Sequence, residues 1–509
     1  MIKTYSLKTF GCQMNYADSE KIDMILRSAG LRKVLDPTQA DIIIMNTCSV
    51  RQKGEDRVFG FMHEIEQFHK KNETDKKPLF GITGCMVRKS GLAARYARLK
   101  IENGKLKIGE QNEQFKRNQA NTITFLGSTD SLMNYDDELF LRSPLIDFVF
   151  RIEEVSFLTK ILSLITNEDI GNDAKFNEYL AVKQLQENSS SANIIIQTGC
   201  DNFCTFCIVP HTRGRELSRS QSEIVSEIEQ VVQNGTKEIT LLGQNVNSYG
   251  KESRKKLWNP DELTWSSRDV KTPFRELLDK INEIEGLDRI RFTSSNPHDM
   301  TRDILDAHFE LPKMCNYLHF ALQSGSDTML ARMNRKHSCA DFKTQVDYLR
   351  ARDPLFSLST DIIVGFPGET EEEFQATATS MRECQFDFAF IARYSARSGT
   401  LATDRYGDDI SSQEKARRWT ILNDILRETV LARNLLMVGR EEEILITGEG
   451  KDETLVGRTR NFKEVFIPKT PFVKGEGESQ GDFAPIKSGD IVKVKIVEGS
   501  GWVLKGERI

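Results

Sequence analysis

The chain has 509 residues, of which 39 % are apolar and 28 % are charged, and its formal net charge is −5 at pH 7. This length suffices for about two to four domains, and the composition is that of an ordinary globular protein. The apolar runs are far shorter than a bilayer span, and the N-terminus lacks the long apolar core of a signal peptide. We therefore expect a cytoplasmic protein without a membrane partner. Because the net charge is not basic, any RNA contact requires a local basic surface.

The cysteines point away from a disulfide scaffold. Nine cysteines in a chain of this length are sparse, and the count is odd. In a reducing compartment, thiols with recurring spacings more often bind metal or take part in chemistry than form disulfides.

The first segment alternates strand and helix patterns, which predicts a parallel, doubly wound α/β domain. The predicted order is strand, helix, strand, helix, strand, over 3–10, 18–30, 41–47, 52–70 and 78–84. Each predicted strand ends at a cysteine, namely Cys12 (after Gly11), Cys48 and Cys85. Carboxyl ends of parallel strands share one edge, so we expect the three thiols to converge. The alternative is three separate buried cysteines.

Residues 127–190 show a weaker pattern, which we interpret as an inserted helical element ending in a linker near 185–192. Six strand patterns separated by helices follow and predict an incomplete TIM-type barrel, a partial (β/α)6 fold. They cover 193–197, 238–243, 289–294, 317–323, 358–365 and 387–395. A helix over about 412–437 leads to short alternating runs that predict a small antiparallel β-barrel. The predicted domains are therefore 1–126, 127–190 (insert and linker), 191–437 and 438–509.

Directly after the first predicted barrel strand, Cys200, Cys204 and Cys207 form the pattern C-x3-C-x2-C. A structural zinc site requires four closed ligands, and His211 makes a Cys3His zinc site the main alternative. Iron–sulfur clusters are also held by thiolates. A four-iron cluster held by three cysteines leaves one iron without a protein ligand, and this iron can bind a substrate. A set of three thiols therefore suits a catalytic cluster.

The C-x3-C-x2-C motif resembles the signature of radical S-adenosylmethionine (SAM) enzymes. The wider chain resembles the MiaB-type radical SAM methylthiotransferases, which act on N6-isopentenyladenosine at position 37 of tRNA, next to the anticodon. The resemblance is carried by TFGCQMNYADSE, NTCSVR, GCDNFCTFCIVPHTRGRE, LLGQNVNSYG, LQSGSDTMLARMNRKH and DIIVGFPGETEEEF. The C-terminal barrel resembles the TRAM domain of this family.

The resemblance implies two 4Fe–4S clusters. Cys200, Cys204 and Cys207 would hold the catalytic cluster, whose open iron binds SAM, and a radical from SAM would take hydrogen from C2 of the adenine. The three N-terminal cysteines would hold an auxiliary cluster that delivers sulfur, which a second SAM methylates. A reductant such as flavodoxin or ferredoxin and a monomeric state are also expected. Alternatives are threonylcarbamoyl-adenosine or a ribosomal-protein aspartate as substrate, or a non-enzymatic zinc and RNA-binding module.

We expect polar residues at the ends of the barrel strands to contact SAM, although each could instead cap a strand end. The candidates are Gln244, Asn245, Ser294, Ser295, Gln323, Ser324, Asp361, Gly365, Tyr394 and Arg397. In the last segment Arg458 and Arg460 stand beside Phe462, a pattern that suits phosphate contact and base stacking or, alternatively, a solvated hairpin. Arg213, Arg215 and Arg219 follow the cysteine loop and could contact SAM, RNA or surface carboxylates.

Overall fold

A computed structural model describes most of the chain, which divides into two compact units. The first unit comprises residues 1–185, 198–201 and 208–215, and the second comprises 186–197, 202–207 and 216–509. The described residues are 2–48, 52–72, 77–87, 99–102, 105–108, 139, 142–171, 179–182, 184, 190–251, 271–397, 399–451, 453–469 and 486–509. Within the predicted insert at 127–190, residues 127–138, 140–141, 172–178, 183 and 185–189 lie outside them.

The first unit is built on a parallel sheet of five strands with the order β2-β1-β3-β4-β7. Two further strands, β5 and β6, form a separate antiparallel hairpin. The strands are β1 (Thr4–Phe10), β2 (Arg32–Lys33), β3 (Ile42–Thr47), β4 (Leu79–Gly84), β5 (Leu99–Glu102), β6 (Lys105–Ile108) and β7 (Phe148–Val149). The helices are α1 (Gln13–Ser28), α2 (Gln52–Lys71), α3 (Leu158–Thr166) and the short α4 (Val209–Thr212).

The apolar spacing of α2 explains its place in this unit. Val58, Met62 and Ile65 recur at helical intervals and are buried in one cluster with side chains of β3 and β4, including Met45 and Ile82. One prediction for the insert fails locally, because the apolar pair Phe148–Val149, interpreted as helical, pairs with β4 as an edge strand. A short apolar run fits a buried strand as well as a helix, so its periodicity could not distinguish the two.

The second unit contains six parallel strands in chain order. They are β8 (Ser191–Ile195), β11 (Glu238–Leu242), β12 (Arg289–Phe292), β13 (Tyr317–His319), β14 (Ser357–Val364) and β15 (Phe388–Arg393). The bridges Ile290–Met314 and Ser295–Phe320 join the two halves of this sheet. Within the described residues no strand pairing joins β8 to β15, so the partial barrel predicted from the sequence is confirmed. Two-residue strands flank the cysteine loop, β9 (Gln197–Thr198) and β10 (Leu217–Ser218).

Helices cover the outside of this barrel because their apolar stripes pack on the outward faces of its strands. In α5, the predicted capping box is present: the Glu223 backbone N–H donates to Ser220 Oγ and the Ser220 N–H donates to the Glu223 carboxylate. The helices are α5 (Gln221–Gln233), α6 (Pro273–Asn282), α7 (Arg302–Glu310), α8 (Asp327–Arg332), α9 (Cys339–Arg352), α10 (Glu371–Cys384), α11 (Leu401–Tyr406) and α12 (Ser412–Leu435).

After α12 the chain closes a five-stranded barrel with the order β16-β17-β18-β20-β19. Its strands are β16 (Glu441–Glu449), β17 (Thr454–Arg458), β18 (Glu464–Pro468), β19 (Ile491–Gly499) and β20 (Leu504–Arg508). All neighbours are antiparallel except β18 and β20, which pair in parallel to close the barrel. Alternate side chains such as Ile444, Ile446 and Val494 fill its interior.

In the part of the chain that the structure describes, no helix combines the length and the apolarity that crossing a bilayer requires.

Candidate functional site

The three N-terminal cysteines follow three neighbouring strands of the first unit. The register pairs Phe10 with Thr47 and Thr47 with Gly84, which are the last residues of β1, β3 and β4. Beyond these ends the Cys48 N–H donates to the Phe10 carbonyl (2.9 Å) and the Cys85 N–H donates to the Thr47 carbonyl (2.8 Å). Neighbouring strands lie about 4.8 Å apart. The structure therefore brings Cys12, Cys48 and Cys85 to one edge of the sheet, as predicted from the spacing.

Hydrogen bonds between buried polar groups and a tight turn fix the conformation of this edge. The Asn15 amide oxygen accepts hydrogen bonds from the Cys12 N–H (3.2 Å) and from the Cys12 thiol (3.4 Å), while its Nδ2 donates to Asn46 Oδ1 (2.9 Å). Gly84 adopts φ +89°, and a Cβ there would lie 2.4 Å from the Thr47 carbonyl oxygen. Only glycine tolerates this turn without displacing the neighbouring strand end.

The electrostatics of the edge favour thiolate at Cys85. The pKa of this thiol is lowered to about 6, chiefly because the Cys48 thiol donates a hydrogen bond to it; burial opposes this, and the positive charge of Arg213 adds to it. Although Cys12 is exposed as a residue, desolvation raises the pKa of its thiol, as does the nearby Cys85, while Arg213 opposes the rise. Thiolates are the form that binds metal. The donor set therefore fits an iron–sulfur cluster.

The C-x3-C-x2-C loop contributes residues to each of the two units. In the first, Cys200 is buried and its N–H donates to the Gly214 carbonyl (3.3 Å). Gly199, at φ +76°, approaches the Arg215 carbonyl oxygen so closely that a Cβ would lie 2.0 Å from it. Cys204 and Cys207 belong to the second unit, where the Cys207 N–H donates to the Cys204 carbonyl (2.9 Å).

Arg335, which sequence reasoning did not single out, contacts this loop within the second unit. Its Nη1 donates to Cys204 Sγ at 3.4 Å, and its Nη2 donates to the Ala321 carbonyl (2.9 Å). The neighbouring Asn334 donates to the Phe203 carbonyl (2.9 Å), and Phe203 adopts φ +48°. Arg335 lies in the stretch LQSGSDTMLARMNRKH, so the resemblance contained it, but nothing local marked it as a neighbour of a thiol.

Among the predicted SAM contacts that follow β11 and β12, three carry buried polar atoms without a hydrogen-bond partner among the described residues. These atoms are Gln244 Oε1, Asn245 Oδ1 and Ser295 Oγ, and they follow the neighbouring strands β11 and β12. The Nδ2 of Asn245 donates to the Asp299 carboxylate (2.7 Å), which fixes the orientation of the amide. Buried polar groups are nearly always paired. The unmet acceptors therefore fit a bound polar ligand at this end of the barrel.

The other residues predicted to contact SAM differ in how exposed they are and in how their polar groups are hydrogen-bonded. Ser324 is buried and pairs with the Thr377 hydroxyl (3.3 Å) on α10, so its side chain is already engaged on the helix side. Asp361, by contrast, is 38 % exposed and lies 3.5 Å from His319 Nε2. Gly365 has φ +67° and its N–H donates to the Glu369 carboxylate (2.6 Å).

For the remaining four residues predicted to contact SAM, the structure shows a backbone conformation or a packing contact. Ser294 and Gln323 adopt φ +66° and +71°. The Tyr394 ring packs edge-on against Phe366 (5.2 Å), and the Arg397 N–H donates to the Thr403 hydroxyl (2.9 Å). Their contact with SAM stays a prediction.

The residues predicted to contact RNA lie where the C-terminal barrel meets the amino ends of the barrel strands. Arg460 Nη2 donates to the Pro312 and Met314 carbonyls (2.6 and 2.9 Å), and the Phe462 ring stacks on Tyr317 at 4.5 Å. Arg458 lies over the same Phe462 ring at 4.9 Å. The segment is thus not a solvated hairpin but part of a packed junction, which only the tertiary structure could reveal. A role in RNA binding stays a prediction.

Arg215 and Arg219, which follow the cysteine loop in sequence, each form an ion pair within their own unit. Arg215, whose side chain is 69 % exposed, pairs with Asp201 at 2.8 Å. Arg219 pairs with Glu227 at 2.6 Å. Among the described residues, no three or more His, Cys, Asp or Glu side chains are arranged to hold a single metal ion.

Three protein-family models match parts of the chain. Residues 194–381 match the model of the radical SAM superfamily, residues 4–102 that of the uncharacterized protein family UPF0004, and residues 435–509 that of the TRAM domain. The barrel and its cysteine loop therefore define a radical SAM protein.

Curated relatives narrow the class. Proteins named tRNA-2-methylthio-N(6)-dimethylallyladenosine synthase match from Clostridium botulinum (35 % identity, 100 % of this chain and 98 % of the relative), Caldicellulosiruptor saccharolyticus (35 %, 100 % and 93 %) and Dictyoglomus thermophilum (36 %, 99 % and 98 %). The chain belongs to the family of tRNA-2-methylthio-N(6)-dimethylallyladenosine synthases.

Proposed function

We propose that the protein is a radical SAM methylthiotransferase that converts N6-isopentenyladenosine at position 37 of tRNA into its 2-methylthio derivative. The observation that carries this proposal is the alignment of three thiols at one sheet edge in a chain that also has the C-x3-C-x2-C loop. The full-length similarity to proteins of this name supports the choice of substrate.

Two sets of cysteines would hold the cofactors. Cys12, Cys48 and Cys85 would hold the auxiliary 4Fe–4S cluster, and the three cysteines of the loop would hold the catalytic one. When bound, the clusters and SAM supply a one-electron cleavage that generates a carbon-centred radical, together with a sulfur group for transfer. Such chemistry suits C2 of adenine, a carbon that no ordinary base deprotonates.

The residues of this chain orient and shield the reacting groups. Gln244, Asn245 and Ser295 offer buried acceptors that would pair with the ammonium and hydroxyl donors of SAM. Arg335 positions the Cys204 thiol from the second unit. The closed apolar packing around the strands limits access of water to the barrel interior.

An aromatic surface on the second unit supports an RNA partner. Phe388 and Phe390 on β15 are each 40 % exposed and Trp502 of the C-terminal barrel is 49 % exposed. Phe388 contacts Phe390 at 4.7 Å and Trp502 at 6.3 Å between ring centroids. Exposed aromatic faces stack unpaired bases, as in a tRNA anticodon loop. Arg458, which lies over the Phe462 ring, remains the proposed phosphate contact.

The cellular setting follows from this substrate. We propose a cytoplasmic monomer that takes electrons from a flavodoxin or ferredoxin. An anaerobic assay with each reductant in turn, and the molar mass of the reconstituted protein in solution, test these two points.

The deciding experiment is anaerobic reconstitution with iron and sulfide, followed by reaction with SAM, dithionite and prenylated tRNA. Two four-iron clusters require about eight irons per chain, and the digested tRNA should contain the 2-methylthio nucleoside. SAM cleavage without this product would retain the radical chemistry but contradict the substrate. Bound zinc without SAM cleavage would contradict the function altogether.

Single cysteine variants separate the two clusters. Cys204→Ala should abolish SAM cleavage and retain about four irons, whereas Cys48→Ala should retain SAM cleavage and lose methylthiolation. Cys339→Ala, outside both sets, is the matched control and should retain both activities. SAM cleavage that persists in Cys204→Ala would contradict the assignment of the catalytic cluster.

A further inference from the structure

Arg213 is built into the first unit although it follows the cysteine loop in sequence. Its N–H donates to the Val209 carbonyl (2.8 Å) at the end of α4, and its side chain is only 2 % exposed. Its Nη2 donates to the carboxylate of Asp18, whose side chain is fully buried. The hydroxyl of Tyr179 donates to the other oxygen of the same carboxylate. This is an ion pair enclosed by protein.

The guanidinium also acts on the cysteine edge. Its positive charge lowers the pKa of Cys85 after the hydrogen bond from Cys48, and it opposes the rise at Cys12. Asp18 also lies on α1, one turn after Asn15, whose amide contacts Cys12, so the ion pair with Arg213 stands beside the cysteine edge of the sheet.

The ion pair with Asp18 does not give every nitrogen of the Arg213 guanidinium a hydrogen-bond partner. Nη1 is buried and has no hydrogen-bond partner among the described residues, whereas Nη2 is satisfied by Asp18. A buried donor left unpaired costs about 1–3 kcal/mol, so a purely structural ion pair does not account for it. Sulfur of a thiolate or of a cluster is an acceptor of the right charge.

We propose that Arg213 is a positioning residue for the auxiliary cluster: it donates a hydrogen bond to sulfur at the cluster held by Cys12, Cys48 and Cys85, and it raises its reduction potential. This inference rests on the proposed function, because that function supplies the cluster. Hydrogen bonds to sulfur and local net charge are among the properties that set the potential of such clusters. Asp18 fixes the guanidinium and offsets part of its charge.

The test isolates the auxiliary cluster in the full-length chain. The parent carries Cys200→Ala, Cys204→Ala and Cys207→Ala, so that only the N-terminal site binds iron. Arg213→Gln, Asp18→Asn and the double variant are compared with it after anaerobic reconstitution. Arg215→Gln is the control, since Arg215 neighbours Arg213 but is largely exposed and paired with Asp201. Iron content and the midpoint potential, followed by EPR in a redox titration, are the readouts.

The two single variants should shift the potential in opposite directions. Arg213→Gln removes a positive charge and a donor, so its potential should become more negative. Asp18→Asn removes a negative charge, so its potential should become more positive, and the double variant should lie between the two. Arg215→Gln should match the parent because exposed charges are screened. A role confined to packing would not produce this reversal of sign.

Three results would overturn the inference. The first is an unchanged potential in Arg213→Gln with four irons retained, and the second is a shift of the same sign in both single variants. The third is loss of iron in all three variants at these positions while Arg215→Gln retains it, which would assign the pair a folding role. If the parent itself bound no four-iron cluster, the proposed function would fail instead.

Discussion

Two buried arginines, Arg289 and Arg291, join the two barrels of the second unit. Arg291, on β12, is 1 % exposed and pairs at 2.9 Å with Glu238, which is equally buried. Its two terminal nitrogens donate to the Arg460 and Thr459 carbonyls of the C-terminal barrel (2.7 and 2.8 Å). The guanidinium also lies over the Phe462 ring at 5.0 Å. A single side chain therefore satisfies a buried charge and two carbonyls.

Replacing Arg291 by alanine should destabilise the second unit strongly. Removing one partner of a buried ion pair costs about 3–5 kcal/mol, because the other charge stays buried without compensation. Arg289 approaches the same Glu238 carboxylate only at 4.0 Å, so it compensates little of this loss. The double variant Glu238→Gln, Arg291→Met removes both charges of this pair, while the buried Arg289 keeps its ion pair with Glu443 (3.2 Å), and it should recover part of the lost free energy.

Urea unfolding followed by circular dichroism measures the stability of both variants against the parent. The same proteins are assayed for SAM cleavage and for 2-methylthio product. Because Arg291 anchors the C-terminal barrel, Arg291→Ala should lower the tRNA product more than SAM cleavage. An unfolding free energy within about 1 kcal/mol of the parent would refute the reasoning, since a broken buried pair costs several times more.

Three further outcomes are expected. Gly84→Ala should lower iron binding at the N-terminal site, because the +89° φ and the 2.4 Å approach to the Thr47 carbonyl exclude a side chain; about four irons should remain at the other site, and unchanged iron would contradict this. Arg335→Ala should slow SAM cleavage and change the EPR spectrum of the catalytic cluster, because the donor to Cys204 is lost; Arg335→Lys should restore part, and wild-type spectra in both would refute the contact. Burial lowers the pKa of His308 to about 4. Its folded pKa is below the unfolded value near 6.5, so its contribution to stability is complete above pH 6.5 and is lost as pH falls towards 4, by about 1.4 kcal/mol per pH unit. Urea unfolding from pH 7 to 4 should show a dependence on pH that His308→Gln reduces by this amount, and the remainder includes His337, whose pKa burial lowers to about 3.

The sequence determined most of the helices and strands and the positions of the cysteines along them. The period of the apolar residues placed β1, β3, β4 and the six barrel strands, since a buried face repeats every two residues in a strand and every 3.6 in a helix. Cysteines directly after three parallel strands had to meet at one edge, because parallel strands end on the same side of a sheet. The spacing within the C-x3-C-x2-C loop was equally visible.

Contacts between distant segments were decided only by the tertiary structure. Arg213 and Asp18 are 195 residues apart, and Arg335 and Cys204 are 131 apart, so no local pattern could pair them. The sequence left Arg460 open between a phosphate contact and a solvated hairpin, whereas in the structure its guanidinium donates to two carbonyls that precede β13. Periodicity reports which face of an element is buried, whereas the identity of the buried partner depends on how the elements pack.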